Sequence, residues 1–175
     1  MEKYFKIVDN FLPSKVFDRL LKIVEGNTIP WIWSDHSYKE DNLFMLSLVL
    51  FNNIPATVHP WYPAFQVIED FQAEIVPFKQ VLKSKINLSP NQGKNVPQTY
   101  HKDIVTGEKI DDCVMTSVFN FHTCNGGTMI KLDEKEEKIS SKANRLILFD
   151  NTFHHGITQS DIPRRIVLNL NVIKL

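Results

Sequence analysis

The hydrophobic pattern of the 175-residue chain changes period once, near residue 81, and that change limits the fold more than any other feature. Ahead of it, Val16, Phe17, Leu20, Leu21 and Val24 recur at helical spacing after Leu12-Pro13-Ser14, with Ser14 as the expected N-cap and Gly26 as the stop. Ala64, Phe65, Ile68, Phe71 and Ile75 mark one side of a second helix, from about Pro63 to Val76, which Pro77 ends. A short strand, Phe5 to Val8, precedes the first helix. The apolar run Leu43 to Phe51 is a buried strand or helix, far short of the ~20 residues of a membrane span.

Beyond residue 81 short alternating runs are separated by turn signals. Strands are expected at Val81 to Leu88, Thr99 to Val105, Cys113 to Phe121, Thr128 to Leu132, Leu146 to Phe149 and Ile166 to Ile173. Ser89 to Gly93 reads as a loop, Thr106-Gly107 as a turn, and Asn125-Gly126-Gly127 as a hairpin turn. The charge run Asp133 to Lys138 reads as a solvated loop. Helices that can cover one face of such a set predict a mainly β domain over 1–175, a sandwich or jelly roll. Residues 1–80 then supply helical support and a lid, and residues 81–175 the β core. The aromatic stretch Ile29-Pro30-Trp31-Ile32-Trp33 is core lid or substrate wall.

Twenty Lys+Arg balance twenty Asp+Glu, so no basic excess exists to hold nucleic acid or anionic lipid by bulk charge. A hydrophobic fraction of 43% argues against a disordered chain. The first residues, Met1 to Lys6, carry no apolar export segment, and Cys113 and Cys124 lack metal-type spacing. Together these predict a cytoplasmic protein with two buried free thiols.

Chemistry concentrates at two places. In His101-Lys102-Asp103 the imidazole and carboxylate are two apart on an expected strand and so share a face, with Lys102 opposite. Two histidines and one carboxylate on one side of a metal leave coordination positions open, as non-haem Fe(II) oxygenases require. The later run Asn144 to Gly156 sets a buried strand directly before His154-His155-Gly156, and the next strand opens with Arg164-Arg165. Arginine offers a planar fork for a carboxylate. Arg165 shares a face with Val167 and Asn169, whereas Arg164 points to solvent. His36, His59 and His122 have no acidic or histidine partner at strand spacing and read as non-ligands.

Taken whole, the H-x-D…H…R order resembles the 2-oxoglutarate and Fe(II)-dependent dioxygenase superfamily, and within it the small prolyl-4-hydroxylase-like proteins of bacteriophages. The resemblance runs from Val8-Asp9-Asn10-Phe11-Leu12-Pro13 to Arg165-Ile166-Val167-Leu168-Asn169. It implies a double-stranded β-helix, the cupin-like jelly roll, with Fe(II) between its sheets. It also implies that 2-oxoglutarate and dioxygen are consumed to give succinate, CO2 and, commonly, a hydroxylated peptide, protein or small molecule. By the same resemblance His101 and Asp103 match two iron ligands and Arg165 matches the residue that binds the distal carboxylate of 2-oxoglutarate. The third ligand is one of two neighbours. An H-x-G element in family members favours His154, while counting ten residues back from Arg165, as in some prolyl hydroxylases, lands on His155. Asn87 and Tyr100 match positions that meet the cosubstrate in related enzymes, and the Trp31–Trp33 stretch precedes the barrel where the family places substrate lids. Rival readings are a non-catalytic jelly-roll interaction module and a cupin-like metalloenzyme with other ligands. Lys102, Ile104 and Val105 do not supply the extra ligand the latter wants.

Overall fold

In chain order the elements of the computed structural model are β1 (Phe5–Asp9), α1 (Ser14–Glu25), β2 (Ile32–Ser34), β3 (Met45–Asn53), β4 (Ala56–Val58) and α2 (Tyr62–Ile75). They continue as β5 (Phe78–Pro90), β6 (Val114–Asn120), β7 (Gly127–Leu132), β8 (Lys135–Ser140), β9 (Arg145–Asp150), β10 (His154–Ile157) and β11 (Arg164–Lys174). The structure describes residues 3–38, 41–105, 112–133 and 135–175. One sheet runs β1-β9-β6-β11-β5-β3-β2 with β4 added to β3, and a smaller one runs β10-β7-β8. Every pairing is antiparallel.

Strict alternation on the central strands sets the layers. Ile166, Leu168, Leu170 and Val172 of β11 pack with Ile86 and Leu88 of β5, Met115 and Phe119 of β6, and Leu146 and Leu148 of β9. Leu20 and Val24 of α1 and Phe65 and Ile68 of α2 close over that face, because each helix carries its apolar residues in one stripe. The opposite face sends Val118, Ile147, Phe149 and Val167 against Ile130 and Ile139 of the smaller sheet. The result is a jelly roll: two antiparallel sheets face each other and two helices cover the outside of the larger one. No helix of the described residues is long and apolar enough to cross a membrane.

Several local expectations are corrected. Pro13, not Ser14, occupies the N-cap of α1, and no side chain caps the helix. The expected loop at Ser89-Pro90 continues β5, because Ser89 and Pro90 stay in register with Arg165 and Arg164. Residues 99–105 do not form a regular strand, and Thr106-Gly107 lies outside the described residues. Asn125-Gly126-Gly127 is no hairpin turn, since β6 and β7 belong to different sheets. Its glycines answer to close backbone approach instead. A Cβ would lie 2.7 Å from the Ile157 carbonyl oxygen at Gly126, and 2.4 Å from that of Ile139 at Gly127. The charge run from Lys135 is β8, an exposed edge strand that among the described residues pairs only with β7. Cys113 is exposed and only Cys124 is buried, and neither forms a disulfide.

Packing makes two effects measurable. Gly127→Ala forces backbone apart at a β7–β8 pair and should cost about 1–3 kcal/mol, read as a lowered midpoint in urea unfolding. Glu69, buried in α2, receives the Tyr62 hydroxyl at 2.7 Å, yet burial, aided by Asp70, pushes its carboxyl up to about 7. A carboxyl raised in the folded state binds its proton more tightly there than in the unfolded chain. The Glu69 contribution to stability is therefore fully present below the ordinary value of 4.5 and is lost as pH rises through about 7. Glu69→Gln should remove that fall, about 1–3 kcal/mol, when urea midpoints at pH 5 and pH 8 are compared. Equal pH dependence in the two proteins would contradict it.

Candidate metal centre and cavity

The segment before Asp103 reaches the centre by pairing with the free edge of β10. The Gln98 amide donates to the Gly156 carbonyl at 2.9 Å, and His101 and His154 exchange both backbone hydrogen bonds at 3.0 Å. His101 and His154 are thus direct cross-strand neighbours, with ring centroids 4.8 Å apart. The pairing stops at His101 and the chain bends. Asp103 arrives on the same side through this bend rather than through strand alternation, which corrects the reason given for the H-x-D spacing. The Asn171 amide donates to Asp103 Oδ2 at 3.1 Å, and the Asn151 amide donates to the Ile104 carbonyl at 2.9 Å, pinning the bend.

His101 Nε2 lies 3.5 Å from Asp103 Oδ1 and His154 Nε2 lies 3.7 Å from Asp103 Oδ2. One ligand atom from each of the three residues falls within 4.8 Å of the others. The outer ring nitrogens explain the orientation. His101 Nδ1 meets the Thr99 carbonyl at 2.9 Å and His154 Nδ1 meets that of Thr152 at 3.0 Å. A carbonyl only accepts, so both rings carry the proton on Nδ1 and turn bare Nε2 lone pairs inward. His154 Nε2 is buried with no hydrogen-bond partner. Two lone pairs and a carboxylate converge here, all acceptors, with the Asn171 amide donating to the carboxylate but to neither ring. A proton on one imidazole relieves part of that, whereas a divalent cation satisfies all three.

The charge states differ across the cluster. Burial opposes ionisation of Asp103, but His154, His101 and the Asn171 donor outweigh it and hold the carboxyl well below the usual range. Burial pushes the His154 imidazole down, which favours the neutral ligand form. At His101 burial is outweighed by Asp103, and the ring is raised.

The triad opens on a cavity of about 160 Å³ whose wall includes the inward residues of β5 and β11. Arg165 lies in it, 5% exposed, and donates to Ser141 Oγ and Asn120 Oδ1 at 3.2 Å and to Thr128 Oγ1 at 3.3 Å. All three partners are neutral. No carboxylate among the described residues pairs with this guanidinium, and burial pulls it down to about 10. Gly156 lies beside it: a Cβ there would sit 3.7 Å from an Arg165 nitrogen and 2.4 Å from the Gln98 amide oxygen. Arg164 turns away and donates to the Glu25 carbonyl at the end of α1.

The structure therefore brings His101, Asp103, His154 and Arg165 into one cavity. His155 is buried but outside the cluster, with Nδ1 at 2.8 Å from the Gly156 carbonyl and its ring edge-on to Tyr100. Asn87 lines the cavity with its Oδ1 buried and unpartnered, while Tyr100 does not line it and packs under Lys131. The expected lid at 29–33 does not reach the cavity either. Trp33 is 55% exposed and stacks on Phe44. Ser37 and Tyr38 line the cavity instead. The Tyr38 ring stacks on His101 at 4.8 Å, and the Asp41 carboxylate ties the loop down by accepting from the Ser37, Tyr38 and Leu43 amides. His59 and His122 lie outside the cavity wall, and each accepts a backbone amide, from Trp61 and Ile166. Sequence reading missed Asn171, Lys83 and Lys85. The polar alternation Lys83, Lys85, Asn87, Ser89 against apolar Ile86 and Leu88 was the signal available for the lysines.

No protein-family model matches the chain, and no curated protein matches it. Solved structures do. An oxidoreductase of the 2OG-Fe(II) oxygenase family from Burkholderia pseudomallei aligns with TM-score 0.71 at 9% identity, covering 96% of this chain and 84% of that one. A prolyl hydroxylase from Trichoplax adhaerens, solved with a hypoxia-inducible-factor peptide, gives 0.64 at 14% identity over 97% and 83%. The non-haem alpha-ketoglutarate-dependent epimerase SnoN of nogalamycin biosynthesis gives 0.68 at 10% identity over 99% and 79%. At these identities the likeness is one of fold, the jelly roll that such oxygenases share.

A divalent ion such as Co(II) should raise the melting temperature of the wild-type protein and of His155→Ala but not of His154→Ala. Affinity should fall as pH drops through the range in which His101 takes a proton, because proton and metal compete for its Nε2. Asn171→Ala should weaken binding by about 10-fold or more through loss of the hydrogen bond that orients Asp103.

Proposed function

We propose that the chain is an Fe(II)- and 2-oxoglutarate-dependent dioxygenase acting on a C–H bond, with succinate and CO2 as coproducts. The observation that carries this reading is the pairing, in one cavity, of a His-His-Asp cluster whose inward atoms are all acceptors, His154 Nε2 among them unpartnered, with a buried arginine that has no anionic partner among the described residues. In this reading His101, Asp103 and His154 hold the metal, and Arg165 receives the distal carboxylate of 2-oxoglutarate. The donor set of two imidazoles and one carboxylate suits Fe(II) better than an all-sulfur structural site.

Bound iron with 2-oxoglutarate and dioxygen would supply the oxidising power; the rest falls to this chain. The Thr99 and Thr152 carbonyls hold two imidazoles in the ligating tautomer, and Asn171 holds the carboxylate. Arg165, itself held by Ser141, Asn120 and Thr128, fixes the far end of the cosubstrate and so its orientation. Val118 and Val167 supply an apolar part of the cavity wall. The finer reading, a single-domain, cytoplasmic, phage-type relative of the small prolyl hydroxylases acting on a peptide or small molecule, rests on the sequence motifs. The absence of a basic excess weighs against a nucleic-acid substrate.

The test is an anaerobic titration. Fe(II) with 2-oxoglutarate should give a visible charge-transfer band in the wild-type protein, lost in His101→Ala. Arg165→Met should raise the 2-oxoglutarate requirement by about 10-fold or more while Fe(II) binding persists. A wild-type protein without the band, behaving as His101→Ala does, would leave the interaction-module reading.

A further inference from the structure

The cavity is cationic at both ends. Along β5, Ser89 stands opposite Arg165, Lys85 opposite Asn169, and Lys83 opposite Asn171. At ~3.3 Å per residue, Lys83 lies about 20 Å along the strand from Ser89. The lysines therefore flank the triad end, where Asn171 holds Asp103, and Arg165 the other. Both lysines line the cavity, and neither makes a hydrogen bond or ion pair with any described residue. Asp103, the lone carboxylate among the described residues of the cavity wall, is turned to the two histidines.

Charge balance then separates the two ends. A divalent metal with Asp103 and Arg165 is neutralised by one dicarboxylate cosubstrate spanning from triad to arginine. Lys83 and Lys85 are left over, since Lys102, the third lysine of the wall, lies over the Phe153 ring. Two like charges held side by side in a partly dry pocket oppose folding unless a later guest repays the cost. Resting on the dioxygenase reading, we propose that the primary substrate carries an anionic group, a carboxylate or a phosphate, which Lys85 and Lys83 grip beside the metal so that a neighbouring C–H bond faces it.

Paired compounds that differ only in that group test the idea: an amino acid against its amide, and a sugar phosphate against its parent sugar, scored by stimulated succinate release. The anionic member of a pair should be preferred. Lys85→Met and Lys83→Met should weaken the apparent affinity for that member by about 10-fold while the cosubstrate requirement stays within about two-fold. Both variants should also melt higher than wild type, which lysines serving only the fold would not do. Turnover is not the only readout. With Zn(II) bound, inorganic phosphate and acetate are titrated into protein carrying 13C-labelled lysine ε-carbons, and the Lys83 and Lys85 signals should move with one anion at lower concentration, which identifies the class. Signals that move with neither anion overturn the proposal, as does a variant that raises the cosubstrate requirement instead. Failure of the dioxygenase reading shows separately, as a wild-type protein that forms no charge-transfer band.

Discussion

The two-sided character of β11 is the constraint on which the rest depends. Its even residues, Ile166 to Val172, are committed to the helix-covered core, which fixes the strand's register and leaves no freedom to slip by one residue. Its odd residues must then face the interior between the sheets, and they are Arg165, Val167, Asn169 and Asn171. A guanidinium and two amides thus enter a protein interior because the opposite face is too apolar to release. Apolar burial of several side chains at about 1.5–3 kcal/mol each supplies the free energy that tolerates them.

That toleration is selective. Arg165 is surrounded by hydroxyl and amide oxygens that satisfy its N–H groups without cancelling its charge. Asp103 is held by donors and imidazoles that favour its ionised form. Burial of a charge is ordinarily offset by a counter-charge at contact distance. Here the positive and negative groups are kept at different positions in one cavity, each short of a full partner. A site organised in this way gives up folding free energy and keeps strong fields where a charged guest enters.

The parts of the fold legible in the sequence were those set by a single period. Both helices and the strands β1, β5, β6, β9 and β11 announce themselves by apolar spacing, and the His-x-Asp, His and Arg positions stand out against that background. What sequence could not supply was pairing. Gly126-Gly127 has hairpin composition, yet the chain there crosses from one sheet to the other, and the glycines answer to carbonyls of Ile157 and Ile139 far along the chain. Residues 99–105 have strand composition, but a bend is what turns Asp103 inward. The tryptophans at 31 and 33 drew attention by size, whereas Tyr38 reaches the triad through a loop shaped by Asp41, a contact no periodicity encodes.

The charged strand β8 has a role outside the cavity. The smaller sheet has two flanks, and the segment paired with β10 covers one of them with backbone hydrogen bonds. The other flank is β8, where Lys135, Glu136, Glu137 and Lys138 are all exposed. An uncovered strand edge is a template for another chain, and a dense row of mixed charges makes stacking of a second copy costly. The run that looked like solvated loop is therefore a guard rail, keeping the thinner wall of the jelly roll from being extended by a neighbouring molecule.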